Sequence, residues 1–163
     1  MSNKAREFAI AAHGDQKYGS SPYSVHLDAV ASIIVPYGEI ATTVAYLHDI
    51  LEDTEITIHE INREFGLFVT TCVEILSDQT GENRKDKKVK TYAKMATVTG
   101  SLELALTVKA ADRLANVRAC VQDVNQRLFK VYKFEHAIFK EAVYRSGQCD
   151  KIWAELDNLL QCN

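Results

Sequence analysis

The chain has 163 residues, a formal net charge of −3, and 47% hydrophobic and 25% charged residues, a globular composition that excludes collagen-like, low-complexity and disordered classes. It holds two prolines and seven glycines where average usage gives roughly 8 and about 11, too few turn formers for an all-β fold. The acidic balance, with a sequence pI near 5.9, is not that of a nucleic-acid binder.

In chain order, residues 3–13 place Ala5, Phe8, Ala9 and Ala12 on one helical face. Residues 24–35 carry a stripe of Val25, Ala29 and Ile33, with Val30 and Ile34 beside it. Residues 38–51 put Ile40, Val44, Leu47 and Leu51 on a second stripe at helical spacing. Next to it runs a row of small residues, Ala41 and Ala45, leading to His48. Thr57 and Glu60 have capping-box spacing, so a helix to Phe65 is expected over the strand that Ile56-Thr57-Ile58 suggests. Residues 67–77 read as a helix with Leu67, Cys72, Ile75 and Leu76 facing in. Residues 82–94 are basic and weakly patterned, either a loop or a solvated helix. Ser101 is expected to cap a long helix through about Asp123. Helices follow over roughly 124–144 and 148–160, the last with Ile152, Trp153, Leu156, Leu159 and Leu160 as its apolar face. No internal repeat or linker interrupts the pattern. The predicted fold is all-α, one domain over residues 1–163, a bundle of about seven to nine helices.

The segment Met1–His13 carries Glu7 and only a short apolar patch, so it does not read as a signal peptide. Cys72, Cys120, Cys149 and Cys162 are far apart and form no C-x-x-C pair. They read as reduced thiols in a cytoplasmic protein. No apolar run approaches the about 20 residues of a transmembrane helix.

Chemistry concentrates in three segments. In Leu47-His48-Asp49-Ile50-Leu51-Glu52-Asp53-Thr54, a continuous helix would set His48 above Glu52 and Asp49 above Asp53. Burying such carboxylates costs several kcal/mol unless a positive charge compensates. A divalent cation is the economical answer, and mixed His and Asp ligands suit Mn, Fe or Zn alike. The alternative is a solvent-facing polar patch at a helix end. In Val108 to Asn116, Asp112 falls in the otherwise apolar row Ala105, Val108, Ala115, Ala119. Its carboxylate therefore faces the core side, as a ligand or as the partner of Lys109 or Arg113, although both bases can swing outward. Asn116, one turn on, would hydrogen-bond a ligand or fill a polar hole. In Pro22-Tyr23-Ser24-Val25-His26, His26 opens the second helix; alone, it reads equally as a surface or a core histidine.

These segments in this order resemble the HD-domain metal-dependent phosphohydrolases, and most closely the hydrolase domain of RelA/SpoT-type proteins and the stand-alone small alarmone hydrolases. The matching strings are Ala12-His13-Gly14-Asp15-Gln16, Pro22 to His26, Leu47 to Thr54, Phe65-Gly66 and Lys109 to Asn116. Leu76-Ser77-Asp78 and Asn83-Arg84-Lys85 resemble two further family segments. The resemblance implies His26, His48, Asp49 and Asp112 as metal ligands, with Glu52 and Asp53 catalytic. It implies an Mn2+-dependent hydrolase that removes the 3′-pyrophosphate of (p)ppGpp and leaves GDP or GTP. Zn2+ or Fe2+ stays open as the ion. The partner is then a small nucleotide, with no nucleic acid and no membrane. Two alternatives accompany this reading: hydrolysis of another nucleotide, such as NADPH or a deoxynucleoside monophosphate, or an inactive alarmone-binding module.

One departure from the family bears on specificity. Many long members carry Arg-Lys nine and eight residues before the first metal histidine, where this chain has Lys17 and Tyr18. Lys17 keeps a charge without the planar fork of arginine, and Tyr18 offers a ring that stacks a purine. With Asn116 they are the expected substrate-binding residues. Arg84, Lys85, Lys87, Lys88, Lys90 and Lys94 read either as a positive lip that attracts an anionic nucleotide or as a solvated face. Tyr132, Lys133 and Glu135 either complete the pocket or pack helices. His13 is expected to hold the loop before Pro22, His59 and His136 to be surface or packing residues, and Trp153 to be core.

Overall fold

The computed structural model describes residues 1–161. In chain order these form α1 (Ser2–His13), β1 (Lys17–Tyr18), β2 (Ser21–Pro22), α2 (Ser24–Ile34), α3 (Glu39–Leu47), α4 (Ile50–Asp53) and α5 (Ile58–Phe65). Then follow α6 (Leu67–Leu76), α7 (Arg84–Ala96), α8 (Glu103–Gln122), α9 (Gln126–Val143) and α10 (Asp150–Gln161). The two short strands pair antiparallel, Lys17 opposite Pro22 and Tyr18 opposite Ser21, as a small hairpin between α1 and α2. The fold is the all-α helical bundle expected from the sequence. The helix expected over 38–51 is interrupted at His48 and Asp49, which separates α3 from α4.

Two helices form the interior. α8 packs against α2, α3, α6, α9 and α10, and α3 against α1, α2, α6 and α8. Small residues make this possible: Ala105, Ala110, Ala111 and Ala115 on α8, and Ala41 and Ala45 on α3, are all buried. The core is completed by larger side chains from the surrounding helices, including Leu27, Ile34, Ile61, Phe139, Trp153, Leu156 and Leu160.

This packing shifts several predicted faces. On α2 the buried side is His26, Leu27, Val30, Ala31 and Ile34, while Val25 is 49% exposed. The helix is apolar nearly all round, so periodicity alone selected the neighbouring stripe. On α3 both rows turn inward: Val44 and Leu47 of the expected stripe are buried, as are Ala41, Ala45 and His48, and only its first member, Ile40, is 47% exposed. On α6, Cys72, Ile75 and Leu76 face in as expected, but Leu67 is 71% exposed.

The local signals fared according to their chemistry. The Thr57–Glu60 capping box forms and starts α5. Residues 84–96 are a helix, capped by the Asn83 side chain accepting from Asp86 N–H and seated on α9 through Thr91, Tyr92 and Met95. Ser101 does not cap α8. A 3-10 turn over Gly100–Leu102 runs directly into the helix, so backbone carbonyls replace the side-chain cap. Cys72, Cys120 and Cys149 are buried, unpaired thiols; Cys162 lies outside the described residues. No helix among the described residues is long and apolar enough to cross a membrane.

Candidate metal centre and its cavity

The interruption between α3 and α4 builds the site. His48 is still helical, but Asp49 sits at φ −104° and ψ 0° before the chain turns again into α4. The two side chains are thereby brought to one place. His48 is fully buried, and its Nδ1 lies 2.7 Å from the Ala45 carbonyl. A carbonyl only accepts, so Nδ1 carries the proton and Nε2 faces the acids. His48 Nε2 is 2.8 Å from Asp49 Oδ2 and 3.6 Å from Asp112 Oδ1. His26 comes across from α2, its Nε2 3.2 Å from His48 Nε2, 3.4 Å from Asp112 Oδ1 and 3.7 Å from Asp49 Oδ2. The donor atoms of His26, His48 and Asp49 all lie within 4.8 Å of one another.

These atoms fit a divalent cation on chemical grounds. Two imidazole nitrogens and two carboxylates converge at 2.8–3.7 Å, and as lone-pair donors they repel unless a positive charge sits among them. A proton on His48 is one remedy. Burial pushes this imidazole towards neutrality, but Asp49 and Asp112 outweigh it and hold its pKa well above the ordinary value. One proton cannot serve four donors, whereas a divalent cation held among them would satisfy all four. The Nδ1–H to backbone carbonyl bond of His48 is the arrangement that orients a metal-binding imidazole. The residues that would hold the ion are thus His26, His48 and Asp49, with Asp112 beside them.

The cluster forms the floor of a cleft of about 140 Å³. Its walls carry charge of both signs. Lys109 is buried on α8, its Nζ 3.5 Å from Asp112 Oδ2. Burial opposes its charge, but Asp112, Asp49, Glu52 and Asp78 together raise its pKa. Arg113, also buried, lies between the rings of Tyr132 and Phe139, 4.7 and 4.3 Å from their centroids. Neither base swings outward as the sequence allowed. Arg84 and Lys88 of α7 line the opposite side; of the six basic residues in that stretch, only these two do. Lys88 Nζ is 2.8 Å from both carboxylate oxygens of Asp78. The Asp78 backbone N–H donates to Glu52 Oε1 at 2.8 Å.

The expected catalytic and substrate residues divide. Glu52 lines the cleft, and burial by its neighbours raises its pKa above the ordinary carboxylate value. Asp53 does not line it. Asp53 N–H donates to the Asp49 carbonyl at 3.0 Å, so the two remain one helical turn apart, but the Asp53 Oδ2 turns to accept from Gln16 Nε2 at 2.9 Å. Tyr18 lies flat on His26, ring centroids 4.7 Å apart, and its hydroxyl donates to Asn116 Oδ1 at 2.8 Å. Asn116 in turn donates to Asp112 Oδ1 at 2.6 Å. Tyr18 and Asn116 therefore brace the metal cluster as well as line the cleft. Lys17 stays on the exposed edge of the hairpin, outside the lining.

Several participants carry no individual signature in the sequence. Tyr23 donates its hydroxyl to Asp49 Oδ2 and stacks on His13, 4.4 Å between centroids. Its place three residues before His26 was the only hint. His13 in turn holds the loop through Gln16, 2.8 Å from Nδ1 to Oε1. His136 is a packing residue, with Nε2 2.8 Å from Asp157.

Comparison with known proteins gives the chain a family. The HD domain family matches residues 5–141. The guanosine-3′,5′-bis(diphosphate) 3′-pyrophosphohydrolase of Aquifex aeolicus (strain VF5) is 31% identical over 147 residues, 88% of this chain and 21% of that protein. The GTP pyrophosphokinase rsh of Brucella suis biovar 1 is 35% identical over 154 residues, 91% of this chain and 20% of that protein. The chain thus spans about a fifth of the length of these curated relatives. A solved structure described as a metazoan ortholog of SpoT that hydrolyzes ppGpp superposes with a TM-score of 0.83 at 21% identity, covering 99% of this chain and 94% of that one. A Listeria monocytogenes EGD-e protein superposes at 0.70 with 22% identity, covering 86% of this chain and 96% of that one. At these identities the structural likeness is one of fold.

Proposed function

The chain belongs to the HD-domain family, and from that footing we propose that it is an Mn2+-dependent hydrolase of (p)ppGpp, releasing pyrophosphate and GDP or GTP. We take residues 1–163 as one HD-type hydrolase unit working in the cytoplasm on a free nucleotide. The observation that carries the reading is the meeting of His26, His48, Asp49 and Asp112 beneath a wall of four cations, Arg84, Lys88, Lys109 and Arg113. A polyanion and a divalent ion are the two partners such a cleft accommodates together. The names of the Aquifex and Brucella relatives point the polyanion to a guanosine polyphosphate.

When bound, the ion polarises the phosphoryl group under attack and makes water more acidic. The chain's own residues supply the rest. Glu52, held by the Asp78 N–H and with a raised pKa, is placed to take a proton from the attacking water. Asp53, tied to the α1–β1 loop through Gln16 and beside the cleft rather than in its lining, is taken to share the proton transfer with Glu52. The four cations bind the substrate's phosphates and offset their charge. Tyr18 and Asn116 border the substrate, and Lys17 adds positive charge at the rim.

The deciding experiment incubates the protein with ppGpp and Mn2+ and follows GDP and pyrophosphate. Equal release of the two products is expected, with orthophosphate absent. Release of orthophosphate from NADPH or a deoxynucleoside monophosphate in preference to ppGpp turnover would move the enzyme to another nucleotide. No turnover of any of them by Mn2+-loaded protein would leave an alarmone-binding module.

A further inference from the structure

Glu135 of α9 does not line the cleft, yet it touches two of the cations that do. Its Oε1 and Oε2 accept from Arg84 Nε at 3.0 Å and Nη2 at 3.1 Å. Its Oε2 also lies 3.2 Å from Arg113 Nη2. The two arginines differ sharply. The Arg84 side chain is 50% exposed and stands at the first residue of α7, with Glu135 as its bidentate partner. Arg113 is 6% exposed, held by its two aromatic faces and by donating to the Tyr92 hydroxyl at 2.9 Å. The order of restraint therefore runs from Tyr92 and the rings to Arg113, from Arg113 to Glu135, and from Glu135 to Arg84.

We propose that Glu135 is a positioning residue: anchored on Arg113, it holds the Arg84 fork against the cleft so that Arg84 meets an anionic phosphate of the substrate. The inference rests on the proposed function for the identity of that substrate, but not for the geometry. An unrestrained arginine carries rotamer entropy that binding would have to remove. The bidentate pair with Glu135 removes it beforehand and leaves Nη1 as the guanidinium nitrogen outside the pair. The carboxylate also keeps the wall from presenting two bare guanidinium charges when no substrate is present. Lysine at 84 cannot reproduce the fork, because an ammonium has no planar pair of donors.

A double-mutant cycle tests this, with Glu135→Gln, Arg84→Ala and the two combined, each first shown to unfold at the wild-type temperature within about 3 °C. Glu135→Gln keeps the shape and one acceptor, so it separates positioning from packing. For ppGpp with Mn2+, each single change is expected to raise KM about tenfold with kcat within about twofold, and the double change to raise KM no further. Arg84→Lys should behave as Arg84→Ala. Multiplicative effects, or a fall in kcat at unchanged KM, would overturn the proposal. The same cycle is read by equilibrium binding of inorganic pyrophosphate, which needs no turnover. Non-additive weakening there supports the clamp even if ppGpp proves not to be the substrate, and additive weakening there overturns it even if ppGpp is hydrolysed.

Discussion

Replacing Lys109 by methionine separates the charge balance of the site from its shape. Methionine nearly matches the lysine stem in volume, so the perturbation is the loss of one buried ammonium. Its Nζ lies 3.5 Å from Asp112 Oδ2, with the two side chains 8% and 13% exposed. At an effective dielectric constant of about 20, that pair attracts by about 5 kcal/mol before desolvation is counted. Removing one member of such a pair typically costs about 3–5 kcal/mol. The Asp112 carboxylate is then left with the two histidines and the neutral Asn116 amide. In chelator, Lys109→Met should therefore lose stability in that range by urea unfolding. Mn2+ reverses the sign of part of this. Lys109 competes with any ion for Asp112, and its removal should tighten Mn2+ binding about tenfold or more, the effect of one charge within about 4–6 Å. Titration calorimetry with wild type and variant measures it directly, and the stability gap should narrow as Mn2+ is added. Weaker or unchanged Mn2+ binding in the variant, or a cost below about 1 kcal/mol in chelator, would refute the placement of the ion beside Asp112.

Other outcomes follow from the same geometry. Asp49→Ala should abolish both Mn2+ binding and turnover, whereas Glu52→Ala should bind Mn2+ normally and lose about 10²–10⁴ in kcat; tight Mn2+ binding by Asp49→Ala would overturn the ligand set. Away from the site, Arg6 clasps Asp28 with two bonds of 2.7 Å between α1 and α2, and this hydrogen bonding holds the Asp28 carboxyl below its ordinary 3.8. A lowered folded pKa means that the contribution is present above 3.8 and fades as pH falls below it. Both side chains are about two-fifths exposed, so Asp28→Asn should cost about 0.5 kcal/mol at neutral pH and nothing at about pH 2. A difference in urea midpoint that is the same at both pH values would contradict that sign.

The sequence carried the helical class well because its signals were local: breakers were scarce, and the Thr57–Glu60 box acts within one turn. Which face turned inward was less legible. α2 is apolar on most sides, so the choice between the Val25 and Leu27 faces is made by contact with α3 and α8, which no single-helix pattern contains. The small row Ala41-Ala45-His48 was visible, but its meaning depends on how closely α1 and α8 approach. At the site, the four candidate ligands were reached through a family resemblance, and the structure gathers them. Asp53 sits one turn from Asp49 as the row implied, but its carboxylate turns to Gln16 of the α1–β1 loop, a contact no helical row contains. Arg84, Arg113 and Glu135 come from three helices far apart in sequence, and their meeting is a product of tertiary packing alone.

Asp78 has a consequence for how the site tolerates change. It serves Lys88 with its carboxylate and Glu52 with its backbone N–H. The first tie is erased by almost any substitution; the second survives all of them except proline, which has no N–H to give. Drift at this one codon can thus retune the charge that greets a nucleotide while the proton-handling group keeps its hold.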